Sequence, residues 1–234
     1  MTVTLLHGDA RKLAKAFEPT GPTVVITDPI WPNRSAKLWP GINAQKLLEQ
    51  TLKPLIGKVS HVVVQVGCTT DPRFLDAVPS HWPFWRTCWL RYDVPTRMGH
   101  TLMGGDVAYV FGPQRAPDQR HLAPGEAPVE PSEWTASTLN AKRQEHPCPR
   151  ALGHVRWLVR WFTRPGETVL DPFVGSGTTM RAAHEHGRDA IGWDNDKKFI
   201  RLSHRTLRQV EMFVPPAHAP KRTEQLALEP TGTR

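Results

Sequence analysis

Cysteine is scarce in this chain: Cys68, Cys88 and Cys148 are the 3 among 234 residues. They are too few and too scattered for a disulfide framework or a zinc site, and that usage suits a reducing, cytoplasmic setting. No apolar run reaches the length a membrane span needs. The opening MTVTLLHGDARKL has no long apolar core, so no signal peptide is expected. No internal repeat is visible. Acidic residues are in deficit, with 22 Asp and Glu against 30 Lys and Arg, a formal charge of +8. Such a balance favours a polyanionic partner, nucleic acid before an anionic membrane, although solubility alone also explains it.

Apolar content at 39% and charged content at 22% are ordinary for a soluble globular protein. The length suits one large domain, or a domain with an insert. Strands are predicted at VTLL (3–6), TVVIT (23–27), HVVVQV (61–66), WPFWRTCWLRY (82–92), DVAYVF (106–111), ETVLD (167–171) and RDAIGWD (188–194). Helical spacing marks 43–56, 150–162, 178–186 and 197–210. This alternation predicts a mostly parallel sheet with helices on both faces. Two segments lack pattern. Residues 113–145, rich in Pro, Ala and Glu, read as a loop-rich insert, and the stretch from Pro215 onward as a disordered tail.

The segment VLDPFVGSGTTM (169–180) is an apolar run that ends on an acid and breaks into glycines. In open α/β sheets ligands sit beyond the carboxyl ends of strands, and glycines there let a ligand approach the backbone. A phosphate loop would require a lysine after Gly177, where Thr178 stands; a dinucleotide fingerprint would require glycine where Met180 stands. What remains is a nucleoside cofactor whose amino-acid end rests on the turn. An acid after the next strand, Asp194 in IGWDND, would hold the ribose hydroxyls. The plain alternative is a tight turn and a surface aspartate.

A second acid ends a strand in VVITDPIWP (24–32). The Asp28 carboxylate there can accept from an amino group, and Trp31 can stack on a planar ring; an Asx turn beside a core tryptophan is the bland reading. Together these segments resemble the amino-group DNA methyltransferases, which use S-adenosylmethionine to methylate adenine N6 or cytosine N4. TDPIWP looks like their catalytic motif, LLHGDARKL like the motif beside the cofactor's adenine, and HTLMGGDVAYVFG like the strand supporting the base pocket. HPCPR followed by DPFVGSGTT and GWD looks like their cofactor motifs. With the catalytic motif first, the order resembles the permuted β-class arrangement.

The resemblance implies a Rossmann-like methyltransferase fold. Residues 1–112 form the catalytic half, 113–145 a short target-recognition insert, 146–214 the cofactor half and 215–234 a tail. It places Phe173, Gly175, Ser176, Gly177, Thr178 and Thr179 around the methionine moiety, with Asp171 at the strand end. Asp194 falls on the ribose, Asp9 and Ala10 on the adenine, and His146 and Pro147 on the opposite side. Asp28 and the Pro29 carbonyl would hold the target amine, with Trp31 stacked on the flipped base; no metal is implied. Ile30 stands where the family usually has a second proline, and Pro149-Arg150 where it has lysine-proline. Asp28 favours adenine over cytosine, DNA is the expected partner with RNA as an alternative, and a homodimer is compatible with the family's habits. Arg150, Arg156, Arg160, Arg164, Lys197, Lys198, Arg201, Arg205 and Arg208 are candidates for phosphate contact. Cys148 after Pro147 has the form of a carbon-5 nucleophile but sits before a helix and is read as incidental. Few side chains in 113–145 could read bases, among them Arg115, so short or relaxed specificity is expected.

Overall fold

The computed structural model describes residues 1–32, 40–98, 100–115, 132–133 and 150–213. Within them one sheet holds 8 strands. These are β1 (Val3–His7), β2 (Thr23–Thr27), β3 (His61–Gly67), β4 (Phe84–Met98), β5 (Thr101–Phe111), β6 (Ser132–Glu133), β7 (Thr168–Asp171) and β8 (Asp189–Asp194). The helices are α1 (Ala10–Ala16), α2 (Ala44–Leu52), α3 (Leu152–Phe162), α4 (Thr178–Glu185) and α5 (Lys197–Phe213). In space the strands run β1-β8-β7-β2-β3-β5-β4-β6. β1, β8, β7, β2 and β3 are parallel, and β5 runs antiparallel to both β3 and β4.

Alternation along the central strands builds two cores. Val25, Val62, Val64 and Val66 point to one face, where Ala14, Leu48, Leu52 and Phe17 pack with Trp193. Val24, Ile26, Val63, Val169 and Ala190 point to the other, against Val155, Leu158 and Val159 of α3 and Met180 and Ala183 of α4. Being covered on both faces, β2 and β3 read as continuous runs of buried β-branched residues.

The chain leaves β2 toward β3 on one side and β7 toward β8 on the other, while β2 and β7 lie side by side. Their carboxyl ends are therefore the topological switch point, where a crevice opens in such sheets. Here Thr27 Oγ1 donates to Asp171 Oδ1 at 2.7 Å, joining the two strand ends.

Three elements differ from expectation. α1 was not anticipated, and Asp9 caps it by accepting the Arg11 N–H at 2.9 Å. The helix expected over 43–56 ends at Leu52, after which Pro54 lies in a single 3₁₀ turn, Lys53–Leu55. β4 and β5 run on into a long hairpin, with a register shift between Arg91 and Thr96 where Pro95 falls. Most of 113–145, the catalytic-motif neighbours 33–39 and everything beyond 213 lie outside the described residues, except 113–115 and the two residues of β6. Among the described residues no helix is long and apolar enough to cross a membrane.

Candidate active site

Between β7 and α4 the chain turns through Pro172–Gly177. Val174, buried, donates its N–H to Trp193 O at 2.8 Å and pins the turn to β8. Gly175 (φ 50°) and Gly177 (φ 83°) both take left-handed conformations that favour glycine. From behind, α5 clasps the turn: Ser203 Oγ donates to Gly175 O and Thr206 Oγ1 to Ser176 O, each at 2.9 Å. Gly177 caps α4 with no side-chain acceptor on its first N–H groups. It is also set back from the crevice. A Cβ on Gly177 would lie 2.9 Å from Ser203 Cα, so close helix packing as well as the left-handed backbone requires glycine at this position.

Asp194 ends β8 beside this turn. Its Oδ2 accepts the Gly175 N–H at 3.0 Å and its Oδ1 the Asp196 N–H at 2.9 Å. Burial raises its carboxyl above the ordinary value, opposed by those backbone donors. Across β1 lies Asp9, paired with Arg11, whose guanidinium holds the Asp9 carboxyl down at about 2. Asp171 is buried and acts as a staple: it takes the Thr27 hydroxyl and the Phe173 N–H, and burial lifts its carboxyl to about 6.

At the end of β2 the Asp28-Pro29 step removes a ladder donor and stops the strand. Trp31 folds back so that its Nε1 donates to Asp28 Oδ1 at 2.8 Å. Its ring lies on Gly67, where a Cβ would come within 2.6 Å of Cζ3. Arg150 lies over the ring, with Cζ 4.2 Å from the centroid. Arg150 Nε donates to Asp28 Oδ2 at 2.6 Å and its Nη1 to Asp106 Oδ2 at 3.0 Å. Tyr92 OH (2.8 Å) and Gln65 Nε2 (3.3 Å) also donate to Asp106 Oδ2. Burial raises Asp28 to about 6; the Arg150 charge opposes that rise and the Asp106 charge adds to it.

These parts open into one cavity of about 990 Å³. Asp28, Pro29, Ile30 and Trp31 line one end. Asp171, Phe173, Gly175, Ser176, Thr178 and Thr179 line its middle, and Asp194, Asp9 and Ala10 the other end. His146, Pro147 and Cys148 lie outside the described residues.

Composition and spacing missed several partners. Arg150, expected on phosphates, is turned inward, where it pairs with half-buried Asp28 and buried Asp106. Arg156 pairs with Glu185 at 2.6 Å. Arg115, a candidate base reader, is paired with Glu167 at 2.6 Å and touches His61 at the start of β3, the end of the strands opposite the crevice. A usable signal existed for Asp106 and Gln65. Each interrupts a buried apolar run, and a buried polar group needs a partner.

Comparison with known proteins agrees with this fold. The chain is 25% identical over 155 residues to the type II methyltransferase M.HindIII of Haemophilus influenzae, covering 62% of this chain and 50% of that protein. It spans half or less of the length of the curated relatives it matches. The crystal structure of the M1.HpyAVI-SAM complex shares its fold, with a TM-score of 0.64 at 18% identity over 88% of this chain and 99% of that one. So does the cytosine-N4-specific PvuII DNA methyltransferase, with a TM-score of 0.65 at 15% identity over 87% and 86%. The DNA methylase family matches residues 81–205, more than half of the chain, and this protein belongs to that family.

Proposed function

We propose that the protein transfers a methyl group from S-adenosyl-L-methionine to the exocyclic amine of a DNA base, adenine N6, after the base leaves the duplex stack. One observation carries this reading: the Asp28-Pro29-Trp31 corner and the Gly175–Asp194 corner line the same cavity. Residues 1–112 and 146–214 are then two halves of one active domain, since strands from both build the single sheet. S-adenosyl-L-methionine, when bound, supplies an activated sulfonium methyl. The turn backbone and the start of α4 suit its carboxylate, Phe173 its methionine moiety, Asp194 its ribose hydroxyls, and Asp9 and Ala10 its adenine. The M1.HpyAVI structure, solved with this molecule, is a precedent for the fold.

An aromatic amine is a poor nucleophile because its lone pair is delocalised. Asp28 and the Pro29 carbonyl, accepting one N–H each, draw the nitrogen toward a tetrahedral geometry and free the lone pair. Asp28 is then in place to take the proton the amine sheds. Positioning supplies much of the rate. The fold does not choose the base, since a cytosine-N4-specific enzyme shares it; adenine rests on Asp28. With Arg115 tied to Glu167, one fewer side chain is available to read bases, which supports a short or relaxed recognition sequence.

The test is to incubate protein, methyl-labelled cofactor and either DNA or RNA, then digest to nucleosides. N6-methyldeoxyadenosine is expected. N4-methyldeoxycytidine or a ribonucleoside would redirect the assignment, and no label would leave a binding protein without transferase activity. Methylation mapped over a genome-length DNA checks specificity, and a single fixed motif of about six base pairs would end the relaxed reading. Sedimentation with and without DNA tests for a second copy completing the reader. Asp194→Ala is expected to weaken cofactor binding about 10- to 100-fold by calorimetry, because it removes a charged acceptor that also orders Gly175. An unchanged affinity would detach Asp194 from the cofactor.

A further inference from the structure

We propose that Arg150 is a placeholder for the target base: in the free protein its guanidinium fills the slot between Trp31 and Asp28, and the base enters by exchanging with it. This rests on the methyltransferase reading of the same site. Trp31 is buried and packed on Gly67, and Arg150 lies over its ring at 4.2 Å, in the place a stacking base would take. Both Asp28 oxygens are engaged, Oδ1 by Trp31 Nε1 and Oδ2 by Arg150 Nε. A guanidinium is planar, stacks on aromatic rings and donates N–H groups from its edge. An amino-bearing base offers the same three features, so it competes for the position Arg150 holds. When Arg150 leaves, Asp106 keeps the Tyr92 and Gln65 donors, so the wall of the slot stays assembled.

The exchange has a signature in pH. The groups facing Asp28 are Arg150 before α3, Asp106 of β5 with Tyr92 of β4 bonded to it, Asp171 at the end of β7, and the neutral Trp31 N–H. Burial holds Asp28 near 6 against the pull of Arg150. Transfer needs the carboxylate, so activity is lost as pH falls through that value. Removing the guanidinium raises Asp28 further in the free enzyme. The acid limb of kcat/KM, which reports the free enzyme, then moves to higher pH in Arg150→Ala. The acid limb of kcat, which reports the loaded complex, does not move, because Arg150 has already left it in the wild type.

The experiment uses the full chain, cofactor and duplexes carrying adenine or 2-aminopurine at a methylated position. In Arg150→Ala the KM for DNA and the half-saturation of 2-aminopurine emission should both fall, by about 3- to 10-fold, as the competing cation–π contact is removed. Arg150→Lys keeps the charge without the planar fork. It should hold the kcat/KM limb near wild type while lowering half-saturation, and it serves if the alanine variant does not fold. Limbs of kcat and kcat/KM that move together, or a KM that stays or rises, would overturn the proposal in favour of a fixed counter-ion. If the wild type flips 2-aminopurine yet forms no methylated nucleoside, the transferase reading fails and the exchange stands.

Discussion

Replacing Asp28 with alanine is expected to cut methyl transfer by about 10²–10⁴-fold and to leave cofactor binding in place. The two functions separate because Asp28 sits at one end of the cavity, while Gly175, Ser176 and Asp194 line the other parts. Without the carboxylate the amine keeps one acceptor, the Pro29 carbonyl, and its lone pair stays in the ring. A positioned acid–base group contributes about 10²–10⁴-fold to rate, and the loss should fall in that range. The variant also leaves Trp31 Nε1 without its acceptor, but Arg150 retains Asp106, so the fold should persist. Counting labelled methyl groups per DNA and titrating cofactor by calorimetry reads both halves. A variant retaining more than about a tenth of wild-type transfer would remove Asp28 from the chemistry.

Gly177→Ala is expected to destabilise the protein by about 3 kcal/mol, the left-handed backbone and an overpacked contact each contributing. For a chain of this size that lowers the melting temperature by about 6–12 °C. Gly166 supplies the comparison. Its φ is also 83°, and a Cβ there meets nothing within 4 Å. Gly166→Ala therefore carries the conformational cost alone, and the difference between the two melts isolates the contact with Ser203. Equal drops would mean that α5 yields freely, and the clasp on the glycine turn would lose its rigidity.

Burial made the sheet legible and concealed the partners. β2, β3 and β7 were readable because strands covered on both faces must be apolar throughout, and β-branched runs bounded by Asp-Pro or Gly have few other uses. α1 escaped because its buried residues are Ala10 and Ala14, which carry little hydropathy signal, and because Asp9 drew attention as a cofactor residue before its capping role. The hairpin was cut short at Tyr92 since Pro95 argues against a strand, and only the shift in register lets it pass. Arg150 was read as a candidate phosphate contact because most arginines lie at the surface. No spacing rule links it to Asp28, 122 residues earlier, or to Asp106. That corner is assembled by topology, as the segment before α3 meets the end of β2 and the middle of β5.

The strand order also bears on how the molecule is made. β1 sits at the sheet edge with β8 as its neighbour, and the bond from Thr2 N to Asp189 Oδ1 spans 187 residues. β2 likewise waits for β7 on one side. A ribosome therefore exports β1 and one side of β2 long before their partners exist, and the nascent chain carries open apolar edges until β8 emerges. Long-range parallel pairing of this kind closes slowly and is prone to aggregation while it waits. Folding of the whole sheet is then a late event that waits for β8. Chains halted before Asp189 should depend on chaperones to stay soluble, even though most of their strands are already complete.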